Sequence, residues 1–311
     1  MKHNILFLFA VMIFLTLSGC YEPTEKTLPA SSSTPDTYGS NNSAKPSPSV
    51  SSTNENTDKS MNKEPKAAEG FAANLPAGFT EPTDSVGQKL LREYGSVFVT
   101  RATAPTKVVF KDQAEVTAFQ NSLKTSSETI GGSNVQLQTA AMDDLKKAIE
   151  DAKGKGLSIN PRGADSAKRS YDETVGLWKS RVDPALKHWT SQAKVTADQA
   201  AKIRAMSPFE QVSEVLKLEE QGIYFAKDLS KSIIYSVAPP GTSQHLSMLA
   251  LDVKENENAE VRSILANHGW YQTVVSDLPH FTYLGTKESE LPSLGLKKTT
   301  SGGRTFWVPN I

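Results

Sequence analysis

Five histidines are spread over 311 residues, and two of them stand near carboxylates in a way that suits a metal ion. In "TSQHLSMLALDV" (Thr242 to Val253) His245 precedes Asp252 by seven residues, and in "SDLPHFTYLG" His280 follows Asp277 by three. Zinc in hydrolases takes three protein ligands, commonly imidazoles and a carboxylate, and keeps a fourth position for water. Such a water must lose a proton to a nearby base, and the leaving amine must gain one, which is work for a carboxylate such as Asp277. His245 and Asp252 by themselves fit two readings, ligands of one ion or caps of successive turns; the second histidine with its acid favours ligation. His268 beside "GW" and His188 beside Trp189 read as caps or core contacts, and Trp178, Trp189 and Trp270 read as core.

Bringing residues 245 and 280 to one ion requires strands that return on themselves. "LALDV", "WYQTVV" and "HFTYLG" have the short apolar and β-branched character of strands, with a helix in "ENAEVRSILANHG" between them. "SIIYSV", "SVFVT", "TKVVF" and "LSIN" read as further short strands. Helices are expected at Ser85 to Gly95, at Asp112 to Thr125 with Asp112 and Glu115 in a capping-box spacing, and over "VQLQTAAMDDLKKAIEDAKGKG" from Val135. "PRGADSAKRSYDETVGLWKSRVDPALKHW" reads as loop and helix, followed by helices from Thr196 and Ser207. Helices first and a small antiparallel sheet later is an α+β plan, with helices packed on the sheet that carries the metal site.

The start of the chain is of another kind. "MKHNILFLFAVMIFLTLSGC" has a short basic start and an apolar run too short to span a bilayer, as in a signal peptide. It ends in Leu17-Ser18-Gly19-Cys20, and Cys20 is the only cysteine. Residues 20–74 are rich in Ser, Thr, Pro and Asn and read as a flexible linker, with a reach of roughly 40 Å for about 50 residues. Lys plus Arg balance Asp plus Glu at 34 each, and no basic stripe marks the chain, so nucleic acid is not an expected partner.

The first twenty residues resemble the lipobox of bacterial lipoproteins, which implies a lipidated Cys20 and a protein held on an extracytoplasmic membrane face, the outer membrane in a cell that has one. The residues around His245 and His280 resemble the zinc D-alanyl-D-alanine carboxypeptidases and dipeptidases of the VanY type. Those carry Ser-x-His-x-x-Gly-x-Ala-x-Asp, a His-Gly-aromatic segment and then Glu-x-x-His before an aromatic strand. Here the first motif reads "SQHLSMLALD", "HGW" stands at 268–270 and the last reads "DLPH". "SAKRSY", Ser166 to Tyr171, is similar to a segment whose arginine binds the carbonyl under attack.

The resemblance implies a zinc site of His245, Asp252 and His280, Asp277 as general base and acid, Arg169 on the oxyanion, Ser243 as an outer contact, and peptidoglycan stem peptides as substrate. Its departures are Met248 for Gly, which puts a side chain beside the metal loop and is expected to narrow or reshape the pocket, Asp277 for Glu, Pro279 for Trp and Thr174 for Gln. These leave open a stem-peptide binder with weakened turnover, or an endopeptidase cutting another stem bond. The implied organisation is a leader at 1–19, linker at 20–74, N-terminal extension at 75–131, peptidase-like domain at 132–290 and tail at 291–311.

Overall fold

The computed structural model describes residues 70–311, which belong to one compact unit. The leader, Cys20 and nearly all of the expected linker lie outside the described residues. Chain order runs α1 (Ser85–Tyr94), α2 (Gln113–Asn121), β1 (Thr125–Ile130), β2 (Ser133–Gln138), α3 (Thr139–Gly154), α4 (Tyr171–Ser191), α5 (Ala197–Ala205) and α6 (Pro208–Glu219). It continues with β3 (Ala250–Asp252), α7 (Ala259–Asn267), β4 (Trp270–Tyr271), β5 (His280–Tyr283), β6 (Leu296–Ser301) and β7 (Arg304–Pro309). This is an α+β fold, helices first, with the antiparallel order β3-β5-β4 late in the chain and two hairpins, β1-β2 and β6-β7.

The helices begin where a short polar side chain satisfies the free first-turn N–H groups. Asp112 accepts from Glu115 N at 2.9 Å, and Ser170, Thr196 and Ser207 form capping boxes with Glu173, Gln199 and Glu210.

Several expected elements differ. Val135 to Gln138 is not the first turn of a helix but strand β2, paired with β1 through a two-residue turn. Gly131 and Gly132 have φ of 56° and 82°, the two left-handed positions that such a hairpin turn demands, and the strand leaves Val135 and Leu137 buried. "SVFVT" and "SIIYSV" are covered by the 3₁₀ turns Gly95–Val99 and Ile233–Tyr235. "TKVVF" and "LSIN" form no ladder; Lys107 bridges Thr80, and Pro161, just after Asn160, bridges Val253. Short apolar runs buried on every side carry no periodicity that separates a strand from a tight turn.

One hydrophobic cluster runs from Phe71 through Leu90, Phe98, Leu145, Trp178 and Trp270 to Leu296 and Trp307. Residues before 132 and after 290 thus share the core of the segment between them.

Candidate metal centre

Strands β3 and β5 pair with Asp252 directly opposite His280. Opposed side chains in an antiparallel pair rise on one face with Cβ atoms about 5 Å apart. His245 arrives from the 3₁₀ turn Gln244–Ser247, which closes at Met248 in the left-handed conformation, φ 57°, before the chain enters β3. His245, Asp252 and His280 each bring a ligand atom within 4.8 Å of the others, and all three residues are buried. The two imidazole rings meet edge on, centroids 4.9 Å apart.

Hydrogen bonds fix which ring nitrogen faces the centre. His245 Nδ1 lies 2.7 Å from the Ala167 carbonyl oxygen. A carbonyl only accepts, so Nδ1 carries the proton and Nε2 of the neutral ring carries a lone pair. That Nε2 is buried without a hydrogen-bond partner, 3.3 Å from Asp252 Oδ1. His280 is set the other way round. Gln244 donates its amide to the Tyr94 carbonyl at 2.8 Å, which turns Oε1 toward His280 Nε2 at 2.9 Å. The Thr282 hydroxyl donates to the same Oε1. His280 Nε2 is therefore the protonated nitrogen, and Nδ1 directs its lone pair at Asp252 Oδ1 from 3.2 Å.

Two lone pairs thus converge on one carboxylate oxygen with no proton between them. Burial pushes the His245 pKa down, keeping the ring neutral. A cation at the common point removes the repulsion, and two nitrogens with one oxygen suit zinc or a neighbouring transition metal better than magnesium or calcium. The residues present fit the metal that the sequence implies.

The loop before α4 walls the centre. Asp252 N donates to the Ser166 carbonyl, and the Asp252 carbonyl accepts from Arg162 N, both at 2.8 Å, so the loop is stitched along β3 like an irregular strand. This brings Arg169 to Asp252 Oδ2, 2.8 Å from Nη2, while its Nε donates to the Asp165 carbonyl at 3.0 Å.

No family model matches the sequence, and no curated protein matches it. Two solved structures do. One is a mutant of the vancomycin resistance D,D-pentapeptidase VanY from a VanB-type resistance cassette in complex with Zn(II), 15% identical over 51% of this chain and 79% of that one, TM-score 0.29. The other is the LdcB LD-carboxypeptidase, from a structure described as revealing the molecular basis of peptidoglycan recognition, 17% identical over 51% of this chain and 64% of that one, TM-score 0.29.

A cavity of about 430 Å³ opens over the centre, lined in part by Arg169, Ser243, His245, Asp252, Asp277 and His280, which is every site residue expected from the folded sequence. Ser243 is buried in its wall, and Asp277 is exposed on the turn that precedes β5. Met248 is 1% exposed and absent from the lining, so it does not narrow the cavity as its position in the motif suggests. Thr174 does line it, but its hydroxyl donates back to the Tyr171 carbonyl at 2.6 Å. His268 caps the end of α7 and pairs with Asp151 at 2.7 Å, away from the centre. Sequence reasoning did not find Gln244, Thr282 or the Ala167 carbonyl. Gln244 sits inside the quoted motif, at a position where the motif accepts any residue, and a backbone carbonyl has no sequence signal.

Proposed function

We propose that this chain is a zinc-dependent peptidase acting on peptidoglycan stem peptides, in the simplest case releasing the terminal D-alanine as a D-alanyl-D-alanine carboxypeptidase. What carries the reading is the convergence of His245 Nε2, His280 Nδ1 and Asp252 Oδ1, all unprotonated, at an open cavity. The surrounding sequence supports it by keeping Ser243, His245, Ala250 and Asp252 of the VanY-type motif in register.

Bound zinc would supply Lewis acidity and a water acidified toward neutral pH. Asp277 takes the proton of the attacking water and returns it to the departing amine. Arg169 has Nε and Nη2 committed to the Asp165 carbonyl and to Asp252, which leaves Nη1 for the oxyanion that develops on the scissile carbonyl. Loss of one such donor typically costs about 3 kcal/mol of transition-state stabilisation. Ser243 contacts the substrate from the cavity wall.

Asp277 is one methylene shorter than the glutamate of the resembling family, and an error of about 1 Å in a catalytic group can cost a hundredfold in rate. A stem-peptide binder with weakened turnover is therefore the second reading. Lipidation at Cys20 would hold the enzyme on the membrane beside its wall substrate.

The test is metal content of the purified protein and of His280→Ala, with D-alanine release from a pentapeptide stem followed in the same preparations. About one zinc per chain, lost in the variant, together with D-alanine release is the expected result. Zinc without release from any stem peptide leaves the binder standing, and absence of zinc from both proteins overturns the site.

A further inference from the structure

Three arginines line the cavity over the metal centre, Arg162, Arg169 and Arg181, and the chemistry above uses only Arg169. Arg181 lies seven residues after Thr174 on α4. Residues two turns apart share a helix face, and both line the cavity. The Arg181 side chain is held in place: Nε donates to Ser236 Oγ at 3.0 Å, and Nη1 donates to Ser180 Oγ at 2.8 Å. Both partners are neutral hydroxyls, so they orient the guanidinium without balancing its charge. The nearest acid along the helix, Asp183, is turned to Arg204 at 3.7 Å. Arg169 is matched by Asp252, whereas no carboxylate among the described residues pairs with Arg181.

With Nε and one N–H of Nη1 held by hydroxyls, the half-buried guanidinium keeps Nη2 and the second N–H of Nη1 for an edge-on partner. That edge receives a carboxylate through two parallel N–H···O bonds, a geometry a lysine cannot reproduce. Fixing the group beforehand also lowers the ordering cost of binding.

Resting on the peptidase reading above, we propose that Arg181 is a specificity residue that anchors a carboxylate of the stem-peptide substrate. Stem peptides offer two sources of that chemistry: the terminal α-carboxylate, next to the bond cut by a carboxypeptidase, and the α-carboxylate of an internal γ-linked D-glutamate.

The experiment uses three synthetic pentapeptide stems: one with both carboxylates free, one amidated at the C-terminus and one amidated at the glutamate α-carboxylate. Hydrolysis of the free peptide is followed with wild type, Arg181→Gln and Arg181→Lys as zinc-loaded proteins. Binding of all three peptides to metal-stripped wild type and Arg181→Gln is measured by calorimetry. Arg181→Gln is expected to raise KM about 10- to 100-fold, the range for a hydrogen bond to a charged group, with kcat nearly unchanged and partial rescue in Arg181→Lys. Its binding defect disappears for the one peptide whose amidation removes the anchored carboxylate, and that peptide identifies the source.

Equal KM in wild type and Arg181→Gln, or a binding defect of the same size on all three peptides, overturns the anchor and leaves the peptidase intact. Should the wild type not cut the free peptide, the peptidase reading falls, and a carboxylate-dependent binding defect in Arg181→Gln still upholds the anchor. A wild type that binds none of them overturns both.

Discussion

Gln244 binds no metal, yet it decides which nitrogen of His280 can. Its amide is held by the Tyr94 carbonyl, and its oxygen accepts from His280 Nε2 and Thr282. Gln244→Leu keeps a similar volume and removes that acceptor, freeing the ring to change tautomer. Zinc affinity is expected to fall about 10- to 100-fold, the usual cost of losing a partner behind a ligand, while the fold persists. Competition against a chelator of known affinity measures it, and an unchanged dissociation constant would show that Gln244 does not set the ring. The three residues that converge were legible only together, because His245 and Asp252 alone fit turn caps as well and it took His280 with its acid and the match to the VanY-type motif to favour ligation, whereas the atoms that orient them are an amide at an unspecified motif position and a backbone carbonyl. Met248 shows the converse. Its left-handed backbone suits glycine, as the motif implies, but the conformation costs only about 1–2 kcal/mol. Truncating a fully buried methionine costs about 2–5 kcal/mol, so burial wins and the residue faces inward instead of into the cavity.

Among elements, the segment entering the metal turn is set by a close approach at Gly241. Its carbonyl accepts from Phe110 N at 3.0 Å, its φ is 81°, and a Cβ there would stand 2.0 Å from the Phe110 carbonyl oxygen. Backbone meets backbone, so no side chain can move aside. Gly241→Ala is expected to destabilise the fold by about 3 kcal/mol or more and to displace Ser243 and His245. Urea unfolding together with zinc content checks this, and a variant that keeps both would show that the two segments can separate without cost. The starts of α2, α5 and α6 were readable to within a residue, since Asp112, Thr196 and Ser207 announce themselves chemically, whereas the start of α4 at Ser170 was not singled out and α2 ends at Asn121, short of the expected Thr125. The β1-β2 hairpin was missed because Leu137 and Ala141 also fit a helical repeat; the adjacent glycines at 131 and 132 were the signal that decides for a turn. The 3₁₀ turns at Gly95–Val99 and Ile233–Tyr235 were not legible, being apolar runs whose backbone shape is dictated by what packs around them.

For the whole molecule, one large hydrophobic cluster joins Phe71 to Trp307. Its attachment to a membrane is proposed to rest on a lipid at Cys20; no helix among the described residues is long and apolar enough to cross a bilayer. Cys20→Ser should therefore move the protein from the membrane to the soluble fraction without changing the zinc content of what is recovered; a variant that still sediments with membranes would refute lipid anchoring at that residue. Length allowed either one large domain or a domain with an N-terminal extension after residue 75; that both flanks join one core was not legible, because it depends on contacts between residues far apart in sequence.

The metal centre also carries a timetable. The Ala167 carbonyl meets a histidine 78 residues on, Arg169 meets an aspartate 83 residues on, and His280 closes the set across a strand pairing with Asp252. Contacts between such distant segments form late, after the loops that separate them have closed. The three ligands lie between His245 and His280, so it is the groups that orient and balance them that tie the centre to the rest of the chain. An ion bound by the finished centre and not by the unfolded chain would add to the stability of the folded state by mass action.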